Sequence, residues 1–376
     1  MGQWKEYKLG EVVNILDFKR VPLSSKERST RKGLYPYYGA QGIIDHIDDY
    51  IFDGTYLLIA EDGENLKSQK QNVAQLASGK YWVNNHAHIV ESNGKSDIRY
   101  ICFLLNMMDL SGYITGSAQP KLNQANLASI PLQLPSLGVQ KKIADFLSVF
   151  DDKIEVNRLI NDNLEKHGKV LFEEYVMNSN KPYTHLLSDY ALINPPRTIT
   201  KGREARCIDM SSLPTKGTFP SDWTFKKYNG GMKFQNGDTI MARITPCLEN
   251  GKTAYINFLD ENEIAFGSTE YIVLSAQEGF CSELLYFLAR NDDFISYAVA
   301  HMNGSSGRQR VSGNDIANYL MPDIANESLD SVNEKLHEIM EVIKNNSLES
   351  RHLAKIRDAL LPRLMSGKLK ISDLTL

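Results

Sequence analysis

The clearest pattern in the sequence is a run of apolar and neutral positions, spaced by four and three residues, between residues 137 and 177. These positions are Ile143, Leu147, Phe150, Ile154, Asn157, Asn161, Leu164, Gly168, Leu171 and Tyr175. Steps of four and three place side chains on one face of an α-helix, as in the seam of a coiled coil. The pattern predicts a helix of about 40 residues, roughly 60 Å long.

A second seam with the same spacing appears 189 residues later, at residues 326 to 366. Its positions are Val332, Leu336, Ile339, Ile343, Asn346, Ser350, Leu353, Arg357, Leu360 and Leu364. The polar interruption is shared, because Asn157 falls on Asn346, and a buried Asn in a seam fixes the register. The helix stop is shared as well, because Asn178 falls on Gly367. We therefore predict two copies of one helix; the alternative is two unrelated amphipathic helices that pack on different cores.

The repeat continues outside the helices. Matching pairs of segments are 8–15 with 186–193, 53–60 with 236–243, strands 86–90 with 269–273, helices 97–108 with 282–292, Gly-Ser loops 116–122 with 304–311, and Pro135 with Pro322. The sequence thus predicts an α+β chain with two similar mixed α/β domains separated by two long helices. Since each helix follows a globular domain, the helices are expected to pair as an antiparallel coiled coil with a pseudo-two-fold repeat.

This plan divides the chain into four segments. They are a first globular domain at 1–135, a long helix at 136–178, a second globular domain at 179–325, and a second long helix with a C-terminal tail at 326–376. Two similar modules held at a fixed distance suit an object with a repeating axis, such as a DNA duplex.

Composition narrows the class of protein. The net charge is −4, so the surface is not uniformly basic. Residues 1–10 are polar and no apolar run approaches the roughly 18 residues that a membrane span needs, which predicts a cytoplasmic protein. Cys102, Cys207, Cys247 and Cys281 occur singly, without metal or redox spacing.

Basic residues nevertheless gather early in each half. The first group is Lys19, Arg20, Lys26, Arg28, Arg31 and Lys32, and the second is Arg197, Lys201, Arg203, Arg206, Lys226, Lys227 and Lys233, with Arg243 at the end of a predicted strand. The Gly-Ser loops add Gln119 and Lys121 in the first half and Arg308, Gln309 and Arg310 in the second. We predict that these residues contact phosphates and base edges of DNA. The alternatives are a solvated surface for the clusters and tight structural connections for the loops.

Motifs for catalysis are incomplete. Asn194-Pro195-Pro196-Arg197 is similar to the Asn-Pro-Pro-aromatic motif of DNA amino-methyltransferases, but Arg197 leaves the stacking role of the aromatic ring unfilled. We interpret it as a turn. His86 and His88 lack a neighbouring third ligand in the sequence and are interpreted as packed or surface residues rather than a metal site. Without a phosphate-binding loop or a nucleophile elbow, the chain is predicted to bind rather than to catalyse.

At this point the chain resembles the specificity subunit of type I restriction-modification enzymes. The resemblance covers nearly all of the chain and depends on YPYYGAQGII at 35–44, DDYIFDG at 48–54, GSAQPKL at 116–122, IPLQLP at 130–135 with Gln140 and Ile143, and LLPRLMSGKL at 360–369. One departure is Val139, where the family pattern usually has Glu; a helix cap or a subunit contact at that position is therefore in question.

The resemblance implies a non-catalytic subunit that binds double-stranded DNA at a bipartite site, with the coiled coil setting the unread spacer. It implies two methyltransferase subunits, which use S-adenosylmethionine to methylate adenine, and motor-nuclease subunits that use ATP and Mg²⁺; none of these cofactors is expected in this chain. Exposed basic residues of the first helix are candidate partner contacts: Lys141, Lys142, Lys153, Arg158 and Lys166. The alternative is a protein scaffold with duplicated binding domains and no DNA readout.

Overall fold

The computed structural model describes residues 4–68, 71–116, 119–177, 181–305, 307–324 and 330–374. Contacts divide the chain into two units. Unit 1 comprises Met1–Asp152 with Leu353–Leu376, and unit 2 comprises Lys153–His352. The four linear segments predicted from the sequence stay a prediction, since the units follow contacts rather than chain order.

Among its described residues, unit 1 has ten strands and five short α-helices, and the long helix α6 begins in it. The strands are β1 (Lys5–Lys8), β2 (Val13–Ile15), β3 (Lys32–Gly39), β4 (Gly42–Ile47), β5 (Phe52–Asp53), β6 (Tyr56–Ala60), β7 (Ala74–Ala77), β8 (Lys80–Val83), β9 (Ala87–Ser92) and β10 (Pro131–Leu134). The helices are α1 (Leu9–Val12), α2 (Ser25–Thr30), α3 (Asn65–Ser68), α4 (Ile98–Met107), α5 (Gln124–Ser129) and α6 (Leu137–Phe172). The strands form two sheets of order β2-β9-β6-β7 and β4-β3-β8-β5 and a two-stranded ribbon β1-β10.

The core of unit 1 forms where apolar strands meet α4. The apolar residues of β6 lie between β7 and β9 and are buried, as are Tyr100, Ile101, Leu104 and Leu105 on one face of α4. Asp97 caps α4 by accepting hydrogen bonds from the backbone of Arg99 and Tyr100. Gln140 joins α4 to the start of α6, because its amide donates to Pro135 O (2.9 Å) and accepts from Asp97 N (3.1 Å). This buried polar side chain thus has hydrogen-bond partners for both its oxygen and its nitrogen.

Unit 2 repeats this plan. Its strands are β11 (Tyr183–Leu186), β12 (Ala191–Ile193), β13 (Glu204–Ile208), β14 (Thr224–Lys227), β15 (Lys233–Phe234), β16 (Asp238–Ala242), β17 (Thr253–Tyr255), β18 (Ala265–Gly267), β19 (Tyr271–Ala276) and β20 (Leu320–Pro322). Its helices are α7 (Leu187–Tyr190), α8 (Ser282–Ala289), α9 (Asp292–Ala300), α10 (Gly313–Ala317) and α11 (Asp330–Met365), which ends in unit 1.

Sheet topology confirms the internal repeat. The orders β12-β19-β16-β17, β14-β13-β18-β15 and β11-β20 match the three sheets of unit 1 strand for strand. In each unit one pair is parallel, β3 with β8 and β13 with β18, and the other pairs are antiparallel. Each predicted pair of segments lies on equivalent elements, so the predicted α+β fold with two similar domains is confirmed.

The two long helices are confirmed as well. Helix α6 has 36 residues and continues into a π-helical turn at Glu173–Met177, and α11 also has 36 residues. Gly367 follows α11 with φ +70° and closes it, as the sequence predicted. The other predicted stop, Asn178, and the predicted start at 326 lie outside the described residues. No helix among the described residues is long and apolar enough to cross a membrane.

Within unit 2 the two helices run antiparallel around a polar centre. Asn157 is fully buried and its amide donates to Asn346 O (3.3 Å) and Ser350 Oγ (3.2 Å), while Asn346 donates to Asn161 Oδ1 (2.9 Å). In the repeat, Asn157 corresponds to Asn346 and Asn161 corresponds to Ser350, so the contact of 157 with 350 is equivalent to the contact of 346 with 161. The pseudo-two-fold axis that relates the two helices therefore lies between Asn157 and Asn346.

Most of the predicted seam positions are buried or half-buried, whereas Tyr175, in the π-helical turn, is exposed. Fully or nearly buried are Ile143, Leu147, Asn157, Leu336, Ile339 and Ile343, and half-buried are Phe150, Ile154, Leu164, Asn346, Leu353 and Leu360. Within unit 1, Ile143 and Leu147 share a core with Leu360 and Leu364. An Arg357–Asp151 ion pair continues this pairing.

Gly168, a predicted seam position, lies against an aromatic ring of the domain. A Cβ at this position would lie 2.2 Å from Cζ of Phe287, a buried residue of α8, so the glycine admits the domain's aromatic ring against the helix. We expect Gly168→Ala to lower the free energy of unfolding. Overpacking costs about 1–3 kcal/mol, which exceeds the helix propensity of about 1 kcal/mol that alanine gains over glycine.

Gly138 provides the matched control in the same helix, because a Cβ at this position would have no heavy atom within 4 Å beyond its own neighbourhood in the helix. We expect Gly138→Ala to stabilise the protein by roughly 0.5–1 kcal/mol. Urea unfolding of both variants measures the contrast. Equal stabilisation by the two substitutions would show that Phe287 moves aside freely.

Candidate nucleic-acid interface

The first basic cluster includes an arginine that is held inside the domain. The Arg20 guanidinium lies 2.5 Å from Glu61 and 3.4 Å from Asp17 and also donates to the carbonyl of Ala87 (3.0 Å). Its side chain is only 15% exposed. These contacts tie the turn before α2 to the ends of β6 and β9, so Arg20 has a structural role in this arrangement.

Three further cations of this cluster hold α2 on the β3–β4 hairpin. Arg28 and Lys32 pair with Asp45 at 3.2 and 2.6 Å, and Arg31 pairs with Asp48 at 2.9 Å. The hydrogen bonds from Lys32, the backbone of residue 46 and Arg28 lower the pKa of Asp45 to about 2. Lys32 is nevertheless 62% exposed and keeps N–H donors for a further ligand.

Lys19 and Lys26 complete the first cluster and differ from the other four. Both are exposed, and within the described residues neither forms an ion pair. A lysine without a carboxylate neighbour can approach a phosphate without first losing a protein partner. These two residues are therefore the most available cations of the cluster.

The second cluster divides in the same way. Arg197 lies 2.8 Å from Asp238, and the two side chains are 8% and 1% exposed. Burial raises the pKa of Asp238, which the charge and hydrogen bonds of Arg197 oppose. In contrast, Lys201, Arg203 and Lys227 are exposed and form no ion pair with the described residues.

The remaining members of the second cluster are partly engaged. Lys226 pairs with Asp209 at 2.6 Å, which raises the pKa of this lysine, and Lys233 lies over the ring of Tyr228. Arg206 is nearly buried between Glu263 and the ring of Trp223. Arg351 of α11 covers the same indole ring at 3.8 Å from its centroid, so two guanidinium groups fix Trp223 within unit 2.

Asn194-Pro195-Pro196-Arg197 forms a turn, as interpreted from the sequence. Asn194 has φ +54°, donates its backbone N–H to Val273 O (2.8 Å), and accepts from Val273 N through its side chain (2.9 Å). The amide that would hold a target amine in a methyltransferase is thus engaged with the backbone of β19. The motif directly follows β12, an edge strand of its sheet.

The Gly-Ser loops occupy equivalent places in the two domains. Lys121 bridges to Thr115 and Asp62, and Arg310 bridges to Asn303 and Ile244 in the same pattern. The next residue in each loop donates its backbone N–H to the residue that follows the central strand, from Leu122 to Glu61 (2.8 Å) and from Val311 to Arg243 (3.0 Å). Ser117, Ala118 and Ser306 lie outside the described residues.

Cations in both loops are held by carboxylates. Lys121 lies 3.1 Å from Glu61, and Arg310 contacts Glu270 through Nε and Nη2 at distances between 2.7 and 3.0 Å. The hydrogen bonds from Arg310 hold the pKa of Glu270 below its usual range. Burial raises the pKa of Glu61, but the hydrogen bonds from Arg20 and Lys121 outweigh it and leave the pKa lowered.

The other predicted loop residues lie near these pairs. Gln119 and Arg308 are exposed, whereas Gln309 is half-buried and its carbonyl accepts from the backbone of Thr245. Arg243 is half-buried, and its Nε has no hydrogen-bond partner among the described residues. The structure therefore brings Arg243 and Arg310 together beside Glu270, and brings Arg20 and Lys121 together beside Glu61.

His86 and His88 have different surroundings. His88 is buried and lies 2.5 Å from Asp17 and 2.7 Å from Leu122 O, whereas His86 is half-exposed beside Asp62. The fold brings Asp17 and Glu61 within 4.8 Å of His88, so the third ligand type that the sequence lacked nearby is present in space. Arg20 and Lys121 already neutralise these carboxylates, and we interpret the group as an ion-pair network.

Sequence reasoning missed the carboxylates that decide which cations are available. Asp17 stands three residues before Arg20 and gave a weak signal, but Glu61, Asp238 and Glu270 are remote in the chain from their partners. Residue types and spacing do not reveal ion pairs between residues that are far apart in the sequence. Only the folded structure brings these residues together.

The known proteins to which this chain is similar share one description, the specificity subunit of type I restriction-modification systems. The family described as "Type I restriction modification DNA specificity domain" matches residues 1–166. A putative type I restriction enzyme specificity subunit of Haemophilus influenzae is 38% identical over 145 residues, which cover 39% of this chain and 36% of that protein. The chain thus spans about a third of that relative's length.

Two other similarities extend over most of the chain. The type I restriction enzyme MjaIX specificity subunit of Methanocaldococcus jannaschii is 27% identical over 329 residues, covering 73% of this chain and 70% of that protein. The crystal structure of a type I restriction-modification S subunit from M. genitalium matches with a TM-score of 0.61 at 13% identity, over 96% of each chain. This last similarity concerns the fold.

Proposed function

We propose, on the premise that the chain belongs to the specificity subunits of type I restriction-modification enzymes, that it reads a two-part DNA site with its two recognition domains. In this proposal each domain contacts one half-site, and the paired helices set the unread spacer. The chain itself is non-catalytic. It acts in the prokaryotic cytoplasm within an adenine methyltransferase and endonuclease complex.

The internal repeat is the observation that carries this proposal. Two domains with the same strand order present the same Gly-Ser loop, and each loop has a cation beside a carboxylate. A duplicated reader suits two half-sites of one duplex, because each half-site offers the same kind of backbone and groove. A scaffold for proteins would give no reason for cations at both loops.

Exposed cations support a contact with phosphates. Lys19 and Lys26 in the first domain and Lys201, Arg203, Lys227 and Arg308 in the second are exposed and form no ion pair within the described residues. Cations without carboxylate partners displace counterions from DNA and contribute to affinity at low salt. We assign phosphate contacts to these six residues in preference to the paired members of the clusters, Arg20, Arg28, Arg31 and Arg197.

Recruitment of partner subunits is proposed for the outward face of α6. Within unit 2, Val156, Leu159, Ile160 and Val170 are 40–56% exposed on this helix, which leaves apolar surface available to another helix. Lys166 is exposed nearby, whereas Arg158 pairs with Glu155 and Asp162 and Lys153 pairs with Glu349. We propose that two methyltransferase subunits, which supply S-adenosylmethionine, and the motor-nuclease subunits, which supply ATP and Mg²⁺ chemistry, assemble with this subunit.

Genome-wide mapping of methylated adenine tests the function. Cells that express this chain with its neighbouring methyltransferase subunit are expected to methylate a two-part motif with a fixed spacer. Cells that lack only this chain are expected to lose that motif. Methylation of the same motif in both strains would contradict the proposal, and binding of the purified complex to the motif duplex provides the independent check.

A further inference from the structure

The two Gly-Ser loops have a cation at equivalent positions, but the carboxylates that bind these cations come from different positions in the fold. Lys121 and Arg310 are structurally equivalent, because each bridges the loop to the same two neighbouring positions. The carboxylates are not equivalent: Glu61 follows β6, whereas the matching residue in unit 2 is Arg243. Glu270 instead matches His86, since Glu61 N donates to His86 O as Arg243 N donates to Glu270 O.

A cation that is fixed by unrelated carboxylates in two copies of one fold indicates that its position matters more than the identity of its partner. An ion pair that only stabilised the domain would leave no reason to retain this position when the carboxylate moved to another strand. The pairs are also partly exposed, with Lys121 53% and Arg310 38% accessible, where ion pairs contribute little stability. Their geometry therefore calls for a reason other than stability.

Each cation keeps two N–H donors for a ligand. Lysine has three donors, and Lys121 gives one to Glu61. Arginine has five, and Arg310 gives Nε and one Nη2 donor to Glu270 and one Nη1 donor to Arg308 O. Within the described residues the remaining two donors of each cation are unassigned, so the loops present the same number of donors at the same place.

We propose that Lys121 and Arg310 make equivalent contacts to DNA phosphates, and that Glu61 and Glu270 are positioning residues that hold these cations in place. The inference rests on the proposed function. A phosphate is the target that the repeat favours, because a device shared by two domains suits the part of the duplex that does not vary with sequence. The bases are then read by neighbouring residues that differ between the domains.

The sign of the effect at Glu270 distinguishes positioning from simple electrostatics. Glu270→Gln removes a negative charge. If Glu270 does not position Arg310, this substitution should therefore make the protein bind DNA more tightly. If Glu270 positions Arg310, the same substitution weakens binding, roughly tenfold for one charge-assisted hydrogen-bonded contact, and lowers the slope of log affinity against log salt by about 0.9. Lys121→Gln is expected to lower the affinity and the salt slope in the same way in the first domain, whereas Glu61→Gln would also remove the partner of the structural Arg20.

The experiment uses the full chain, the duplex that carries the motif found by methylation mapping, and a scrambled duplex. Affinities are measured across a salt series for wild type, Glu270→Gln, Arg310→Gln and the double variant. The double variant is expected to bind no more weakly than Arg310→Gln alone, because both substitutions remove the same contact. If the lost contact is to a phosphate, each variant is expected to bind both duplexes more weakly by the same factor.

Matched variants keep the test decisive. Glu278→Gln and Glu6→Gln make the same charge change at exposed positions of the two units and are expected to leave binding unchanged or slightly tighter. Arg310→Lys should retain the salt slope, since the first domain uses lysine at this place. If Glu270→Gln binds DNA as tightly as wild type or more tightly, the inference fails and the proposed function stands. If the wild-type chain binds neither duplex, the proposed function fails.

Discussion

Removal of one facing heptad from each long helix is expected to abolish methylation of the natural site and to move it to a site with a shorter spacer. The segments to delete are 149–155 and 352–358, which face each other because Asp151 pairs with Arg357. The deletion removes both members of that ion pair and leaves Asn157 and Asn346 in place. Seven residues at about 1.5 Å each shorten the helices by about 10 Å.

This change in length sets the expected spacer. At about 3.4 Å per base pair, about 10 Å corresponds to at most about three base pairs. A heptad rotates an α-helix by only about 20° from its starting phase, whereas three base pairs turn a duplex by roughly 100°. We therefore expect the shortened protein to methylate its new site less efficiently than the natural protein methylates its own, because the half-sites are out of phase.

Adenine mapping in cells with the neighbouring methyltransferase subunit measures both effects. Deletion of 149–155 alone is the control, since it mismatches the facing helices and is expected to eliminate methylation at either spacing. A shortened protein that still methylated sites with the original spacer would refute the role of the helices as a ruler.

The long helices could be predicted from the sequence because their signal is local and repeated. Steps of four and three residues over 36-residue helices, a shared Asn and a stop at Gly367 all act within a few turns. The same reasoning did not predict that the seam position Gly168 lies against Phe287 of the domain. A seam pattern does not say whether its contact is the other helix or a domain that packs on the helix.

The candidate interface was less predictable for a physical reason. A cluster of basic residues in the sequence predicts positive potential only if the cations are not neutralised by the fold. Arg20 finds Glu61 and Arg197 finds Asp238, each 41 residues away, and only the tertiary structure brings these pairs together. The predicted DNA contacts of the clusters remain a prediction, and the ion pairs rank their members by availability.

Arg197→Met is expected to destabilise the second domain severely without acting through DNA. The Arg197–Asp238 pair is almost completely buried, and loss of one partner from a buried pair costs about 3–5 kcal/mol because the other charge is left uncompensated. Asp238 also accepts the backbone N–H of Gln235 at 2.7 Å, so its carboxylate cannot turn out to solvent without breaking a second bond. Urea unfolding followed by tryptophan fluorescence measures the loss, since Trp223 lies in the same unit.

Two matched variants separate a structural arginine from one that contacts DNA. The double variant Arg197→Met with Asp238→Asn is expected to recover most of the stability, because no buried charge remains and Asn can still accept from Gln235. Lys201→Met removes an exposed cation without an ion-pair partner among the described residues, and we expect unchanged unfolding with a salt slope lowered by about one. If Arg197→Met left stability intact and lowered the salt slope instead, Arg197 would be a DNA contact and the assignment based on burial would be wrong. The expected opposite outcomes follow from one difference: the Arg197–Asp238 pair is almost completely buried, whereas Lys201 is exposed to solvent.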